Sequence, residues 1–239
     1  MKYTETFKVD THHCDVNENL KAADLLRFMQ ECATGQLEHS NMAQKNLNAA
    51  GKTYVLCRLY MSIYKPAKLF DKIEVSTWPC ESRGLSFKRC YQAKLNGSVI
   101  ADAVSVWGII DIERRKFCKV SEFDFDIDCD AELEIDAPSR IHIPPEAKLK
   151  LVGERPICYS DLDLNGHVNN TNYPAIYCDF LPDFEKKRII KLSINYTSEV
   201  KGGDTLRIYI AEYDGQYYIR TLKDDGTVNS EAIIMTEEI

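Results

Sequence analysis

The stretch Asp161 to Asn170, DLDLNGHVNN, gathers two carboxylates, three carboxamides and one of the chain's five histidines. His167 brings an imidazole whose ordinary pKa, near 6.5, lets it exchange protons at neutral pH. Asn165 lies two residues before it and Asp163 two before that, and in an extended or turning backbone this spacing sends the three side chains to one side. Such a row can orient water, relay a proton or polarise a carbonyl, and a carboxylate like Asp163 either orients the imidazole or attacks an electrophile itself. The plainer reading is helix capping, because Asp and Asn before a helix are ordinary N-caps. On the chemical reading Asp163, Asn165 and His167 form one side of a site, while Asp161 and Asn169 support the backbone.

The element that must position this row follows it directly. Tyr173, Ile176, Tyr177, Phe180 and Leu181 recur at helical spacing. Pro174 fits the first turn, where a missing N–H is harmless, and Pro182 marks the end. N–H groups at the start of this helix, around residues 167–172, would stabilise negative charge developing on a reacting oxygen.

The same plan occurs earlier in the chain. Asp15-Val16-Asn17-Glu18-Asn19-Leu20 is a worn copy of Asp163-Leu164-Asn165-Gly166-His167-Val168, and Ala22, Leu25, Leu26, Met29, Ala33 and Leu37 follow it at helical spacing. Residues 59–71 match residues 192–204 in length and pattern. Each copy then runs through β-rich segments, at 72–77, 86–95 and 98–112 in the first and 205–212, 216–222 and 227–236 in the second. Asn96-Gly97 and Asp225-Gly226 occupy equivalent hairpin turns. Each half therefore reads as an early strand, a helix and several antiparallel strands, an α+β plan in which the sheet covers the helix. The expected division is residues 1–120, an acidic linker at 121–145 ending in Pro144-Pro145, and residues 146–239.

With 44% hydrophobic residues the chain can build a substantial core, and a net charge of −7 argues against a general nucleic-acid binder. The nine cysteines are scattered without a Cys-x-x-Cys pair or metal-ligand spacing, which suits reduced thiols in the cytoplasm. The N-terminus lacks the apolar core of a signal peptide, and no apolar run approaches the roughly 18 residues of a membrane span. His12-His13-Cys14-Asp15 looks metal-like, but successive residues of an extended chain alternate faces and no distant ligands complete a set. Gly51-Lys52-Thr53 echoes a phosphate loop, yet Asn46 stands where the earlier glycine is required. Basic clusters at Arg83/Lys88/Arg89, Arg114-Arg115-Lys116 and Lys186-Lys187-Arg188 read as solvated faces or, alternatively, as docking surface for an acidic partner.

Taken together, SDLDLNGHVNNTNY (160–173), INYTSEVKGGD (194–204) and STWPCESRG (76–84) resemble the acyl-acyl-carrier-protein thioesterase family of bacteria and plants. The resemblance implies two fused hotdog folds, each a central helix wrapped by an antiparallel sheet, with a non-catalytic acyl-pocket half followed by a catalytic half. It implies Asp163, Asn165, His167 and Glu199 as the catalytic set, no cofactor or metal, and an acyl carrier protein bearing a phosphopantetheine-linked acyl chain as partner. Release of free fatty acid in cytoplasmic fatty acid biosynthesis is the implied activity, and a homodimer is left open.

Family members often carry Cys directly after the Glu; Val200 occupies that position here, so a thiol there is not required. Glu199 is the favoured water activator, with attack by Asp163 left open. Strand alternation from Leu192, Ile194 and Tyr196 puts Glu199 on the opposite, polar face, which a bulge near the turn, or a polar face lining a site between the halves, would reconcile. In the first half Asn19 stands in place of His167 and Pro66 in place of Glu199, so that half cannot run the same reaction. Its helix face at Leu25, Leu26, Met29, Cys32 and Ala33 reads as an acyl tunnel wall or as ordinary core. The rival activities are a hotdog acyl-CoA thioesterase, an enoyl-thioester hydratase and a non-enzymatic acyl-binding module.

Overall fold

The computed structural model describes residues 2–136 and 140–239. Alternating burial sets its strands. In the first half these are β1 (Tyr3–Lys8), β2 (Lys52–Ile63), β3 (Lys72–Pro79), β4 (Phe87–Leu95), β5 (Ser98–Asp111) and the short β6 (Lys116–Phe117). The second half contributes β7 (Lys150–Pro156), β8 (Lys187–Tyr196), β9 (Thr205–Tyr213), β10 (Gln216–Leu222) and β11 (Val228–Glu238). They lie close to the segments expected from sequence. All pair antiparallel in one continuous sheet, in the order β1-β3-β4-β5-β2-β8-β11-β10-β9-β7, with β6 beside β5.

Read outward from the β2–β8 pair, the two halves repeat one order, so the duplication in the sequence becomes a pseudo-twofold in space. Leu59 opposes Ile194 and Met61 opposes Leu192 at that junction, all four buried. Each half is a hotdog, and the two share a sheet. The Asn96-Gly97 turn has φ of 52° and 78°, the left-handed pair that a tight hairpin needs.

The helices lie on one side of the sheet. α1 (Ala22–Leu37) buries Leu25, Leu26, Phe28, Met29, Cys32 and Ala33. The short α2 (Gln44–Ala49) fills the extra length of the first half. The second-half helix, α3 (Tyr173–Cys178), is shorter than its periodicity predicts. Phe180 and Leu181 continue through tighter turns, their N–H groups reaching the Tyr177 and Cys178 carbonyls. Phe180 then lies over β7 at Gly153, where an added Cβ would sit 2.5 Å from its ring. One apolar core runs through both halves, joining Leu25 and Met29 to Ile176, Ile194 and Ile208.

The described residues of the segment at 121–145 carry almost no regular structure, and they pack against the sheet. Trp78 Nε1 donates to the Ala131 carbonyl at 2.8 Å, and Leu133 and Ile135 pack on the outer cluster of Tyr60, Trp78, Cys90 and Val104. Further on, Ile143 and Leu149 pack with Ala147 against Ala211 and Tyr218. An antiparallel sheet with helices on one face leaves the other face open, and these two sets of contacts cover part of it.

Candidate active site

The loop from 163 to 167 is built by Asp163. Its Oδ1 accepts the backbone N–H groups of Asn165 at 2.8 Å and His167 at 3.1 Å, while its own N–H reaches the His167 carbonyl at 2.8 Å. Gly166 turns the chain with φ +75°, a conformation that suits glycine. The worn copy makes the same loop: Asp15 Oδ1 accepts the N–H groups of Asn17 at 2.8 Å and Asn19 at 2.9 Å, and Glu18 takes φ 63° at the glycine position. The Asp therefore shapes the loop in both halves, whether or not a histidine follows.

Asp161 anchors the segment before the loop. It is 5% exposed, binds Arg155 through both oxygens at 2.8 and 3.0 Å, and accepts the Cys158 N–H at 2.8 Å. Burial pushes its carboxyl up, but the Arg155 guanidinium and the Cys158 N–H outweigh that and hold it below the usual carboxylate range. Its carbonyl accepts Asn169 N–H and Asn172 Nδ2, tying it to the start of the helix. In the first half His13 takes the corresponding place, its Nδ1 accepting the Asp10 N–H at 3.0 Å and its ring set edge-on to Phe28. This accounts for His13 of the metal-like run as a cap. Asn169 Oδ1 likewise accepts the N–H and hydroxyl of Thr171, at 3.0 and 2.9 Å.

His167 and Glu199, remote in sequence, meet: Nε2 lies 3.3 Å from Oε2, with the side chains 24% and 54% exposed. The alternation argument does not reach Glu199 because β8 ends at Tyr196. Thr197 and Ser198 both donate N–H to the Asn229 carbonyl, at 2.8 and 3.2 Å, and this bend re-aims the chain. The irregularity lies on the partner strand, where the β10–β11 register shifts between Thr221 and Leu222. Val200 turns into the core, 1% exposed, and accepts the Val168 N–H through its carbonyl. Asn165 lies at the exposed tip beside the fully exposed Leu164, and its side chain makes no hydrogen bond among the described residues. The tight turn at 163–167 removes the extended geometry that would have aligned it with His167.

The N–H groups at residues 167–172 are mostly occupied. His167 donates to Asp163, Val168 to Val200, Asn169 to Asp161, Thr171 to the Asn169 side chain and Asn172 to the Asn169 carbonyl. Only the Asn170 N–H lacks a partner among the described residues. Asn170 and Thr171 also line a cavity of about 30 Å³ with Leu26, Met29, Gln30 and Trp107. That is room for about one water. All five residues of the α1 face read as tunnel wall or core belong to the apolar core, and Leu26 and Met29 also border this cavity. Gln30 and Trp107, which reach the cavity, carried no signal in sequence. A larger charged cleft of about 500 Å³ between Arg83, Lys88 and Glu132 lies on other elements. Two of the three basic clusters find ion-pair partners, Lys88 with Glu132 in one and Lys186 with Asp183 and Arg188 with Glu237 in the other.

Comparison with known proteins supports the fold. Residues 1–125 match the model of the acyl-ACP thioesterase N-terminal domain, and residues 148–237 that of the C-terminal domain. The chloroplastic oleoyl-acyl carrier protein thioesterase 2 of Arabidopsis thaliana is 23% identical over 84% of this chain and 60% of its own length. The chain thus spans less than two thirds of that relative. An acyl-ACP thioesterase structure from Bacteroides thetaiotaomicron superposes with a TM-score of 0.90 at 26% identity, covering 99% of this chain and 98% of the other. The 12:0-ACP thioesterase of Umbellularia californica superposes at 0.85 with 15% identity, covering 100% and 98%, and supports the fold.

Proposed function

The chain belongs to the acyl-ACP thioesterase family, and on that premise we propose that it hydrolyses the thioester of fatty acyl-acyl-carrier-protein to free fatty acid and carrier. The observation that carries the reading is the 3.3 Å approach of Glu199 Oε2 to His167 Nε2, in the half whose loop leads to the unoccupied Asn170 N–H. Glu199 takes a proton from a water whose oxygen bonds the thioester carbon. The oxyanion rests against the Asn170 N–H. As the intermediate collapses the C–S bond breaks, and the proton taken up by Glu199 crosses to His167, which delivers it to the departing phosphopantetheine thiolate and leaves both groups as they began.

Asp163 serves this route as a positioning residue, because its Oδ1 already holds two N–H groups and a carboxylate so engaged is a weaker nucleophile. Asn165 acts on substrate, since its side chain has no hydrogen-bond partner among the described residues. The acyl chain enters beside α1 by parting Leu26, Met29 and Trp107, since the cavity is too small to receive it as it stands. The first half thus serves as the acyl-pocket half and the second as the catalytic half, joined by the 121–145 linker. Nine free thiols suit a reducing compartment, so we place the reaction in cytoplasmic fatty acid biosynthesis.

Thiol release from matched acyl-carrier and acyl-CoA substrates tests the reading. Faster turnover of carrier-bound substrate is expected. Faster turnover of the CoA ester would overturn the carrier assignment, and loss of enoyl conjugation without thiol release would indicate a hydratase.

A further inference from the structure

Glu199 follows a strand end, is half exposed, and reaches His167 only if the bend at 197–198 is held. Asn229 holds it from two directions. Its carbonyl accepts the Thr197 and Ser198 N–H groups, and its side-chain Nδ2 donates to the Ser198 carbonyl at 2.6 Å and the Tyr173 hydroxyl at 2.9 Å. The Ser198 carbonyl belongs to the peptide that leads into Glu199, so the carboxamide fixes that peptide plane. Thr221 Oγ1 donates to Asn229 Oδ1 at 2.8 Å and lies 2.7 Å from Ser230 Oγ, which is 2.8 Å from the Tyr177 hydroxyl. Asn229, Ser230, Thr221, Tyr173 and Tyr177 are all 2% exposed or less. Two neighbouring strand residues, Asn229 and Ser230, can both face inward because β11 bulges there.

The first half is an internal control. β4 and β5 shift register at the matching place, between Ala93 and Lys94, and the Ile100 carbonyl accepts the N–H groups of Tyr64 at 2.8 Å and Lys65 at 3.3 Å. The backbone clamp is therefore the same, but its side chains are apolar. Ile100 stands for Asn229, Ala93 for Thr221, Ala101 for Ser230, Leu25 for Tyr173 and Met29 for Tyr177, all buried. The fold needs no polar network at this point. What differs is the next residue: Pro66, whose ring locks its own φ, in one half, and Glu199, with no such restraint, in the other. A buried polar network with every member bonded rigidifies its surroundings, and it occurs in the half where a carboxylate must be aimed.

We propose that Asn229 is a positioning residue whose buried carboxamide fixes the bend that delivers Glu199 to His167. This rests on Glu199 and His167 being the reacting pair, so the test has one arm that does not use turnover.

Asn229→Ala and Asn229→Ile, the latter copying the first half, are made with and without Glu199→Gln and checked for folding by thermal melting. On carrier-bound substrate, kcat is expected to fall about 10- to 100-fold, the scale of a displacement near 1 Å, with KM little changed. The same substitutions in the Glu199→Gln background should cause no further loss. Ser230→Ala, which breaks contacts to Thr221 and Tyr177 but leaves Ser198 held, should lower Tm and spare kcat.

Crystal structures of the Asn229 variants supply the independent arm, with the His167–Glu199 separation widening beyond 4 Å. Unchanged kcat in a folded variant, an equal loss in the Glu199→Gln background, an equal kcat loss in Ser230→Ala, or an unchanged separation would each overturn the proposal. If the native enzyme releases no thiol, the thioesterase reading fails and the crystallographic arm still decides this one.

Discussion

Replacing Asp163 by Asn separates its two available roles, bracing the loop and attacking the thioester. An Asn side chain keeps a carbonyl oxygen where Oδ1 now accepts the N–H groups of Asn165 at 2.8 Å and His167 at 3.1 Å, so the loop keeps both bonds. Each changes from a charged to a neutral acceptor. Hydrogen bonds to charged groups contribute about 1.5–3 kcal/mol and neutral ones about 0.5–1.5, with exposure reducing the difference, so the expected loss is about 1 kcal/mol in total. For a chain of this size that lowers Tm by about 2–4 °C. A bracing role predicts kcat within about tenfold of the parent, while a nucleophile replaced by a carboxamide predicts a fall of about four orders of magnitude or more. Thiol release under saturating substrate, paired with a melt, reads both quantities. A folded Asp163→Asn protein without turnover would refute the bracing argument and restore the covalent route.

Glu199→Gln should shift Tm by no more than about 3 °C, because a half-exposed pair contributes under about 1 kcal/mol, while kcat drops about 10²- to 10⁴-fold; near-parental turnover in the folded variant would remove Glu199 from the chemistry. Asn165→Ala, losing a side chain without a protein partner, should leave Tm within about 1 °C and reduce kcat/KM, and a large drop in Tm would show a structural role instead. Asp161→Asn should destabilise by about 2–4 kcal/mol at pH 7 in urea unfolding, since it leaves Arg155 without its ion-pair partner. With its carboxyl held below the usual range when folded, Asp161 contributes stability above the unfolded pKa, near 3.9, and loses it as pH falls through the lower folded value. The gap between parent and variant should therefore stay constant from pH 7 to about 5 and shrink below about 4; a gap already closing at pH 6 would contradict that assignment.

Much of this molecule is legible in its amino-acid pattern, because strand alternation, helical spacing and turn residues are local properties. The paired segments at 59–71 and 192–204, the helix after each Asp-x-Asn motif and the Asn96-Gly97 hairpin all follow from them. Comparing the copies also shows, without coordinates, that only the second half carries His and a downstream Glu. Periodicity failed where backbone hydrogen bonding departs from regular repeats. α3 stops at Cys178 and gives way to tighter turns, and the 163–167 segment is a tight loop in which Asp163 serves the backbone.

Tertiary structure alone decided the rest. A strand reads as alternation, so nothing in the β8 sequence says that its last turn is bent by a carbonyl from Asn229 on another strand. Which N–H groups at the start of α3 remain available depends on acceptors as distant as Val200, and that leaves Asn170. A linear pattern names the residue types able to move protons. Whether their atoms come within 3.3 Å depends on contacts between segments far apart in the chain, and these form only when the strands and loops of the second half pack together.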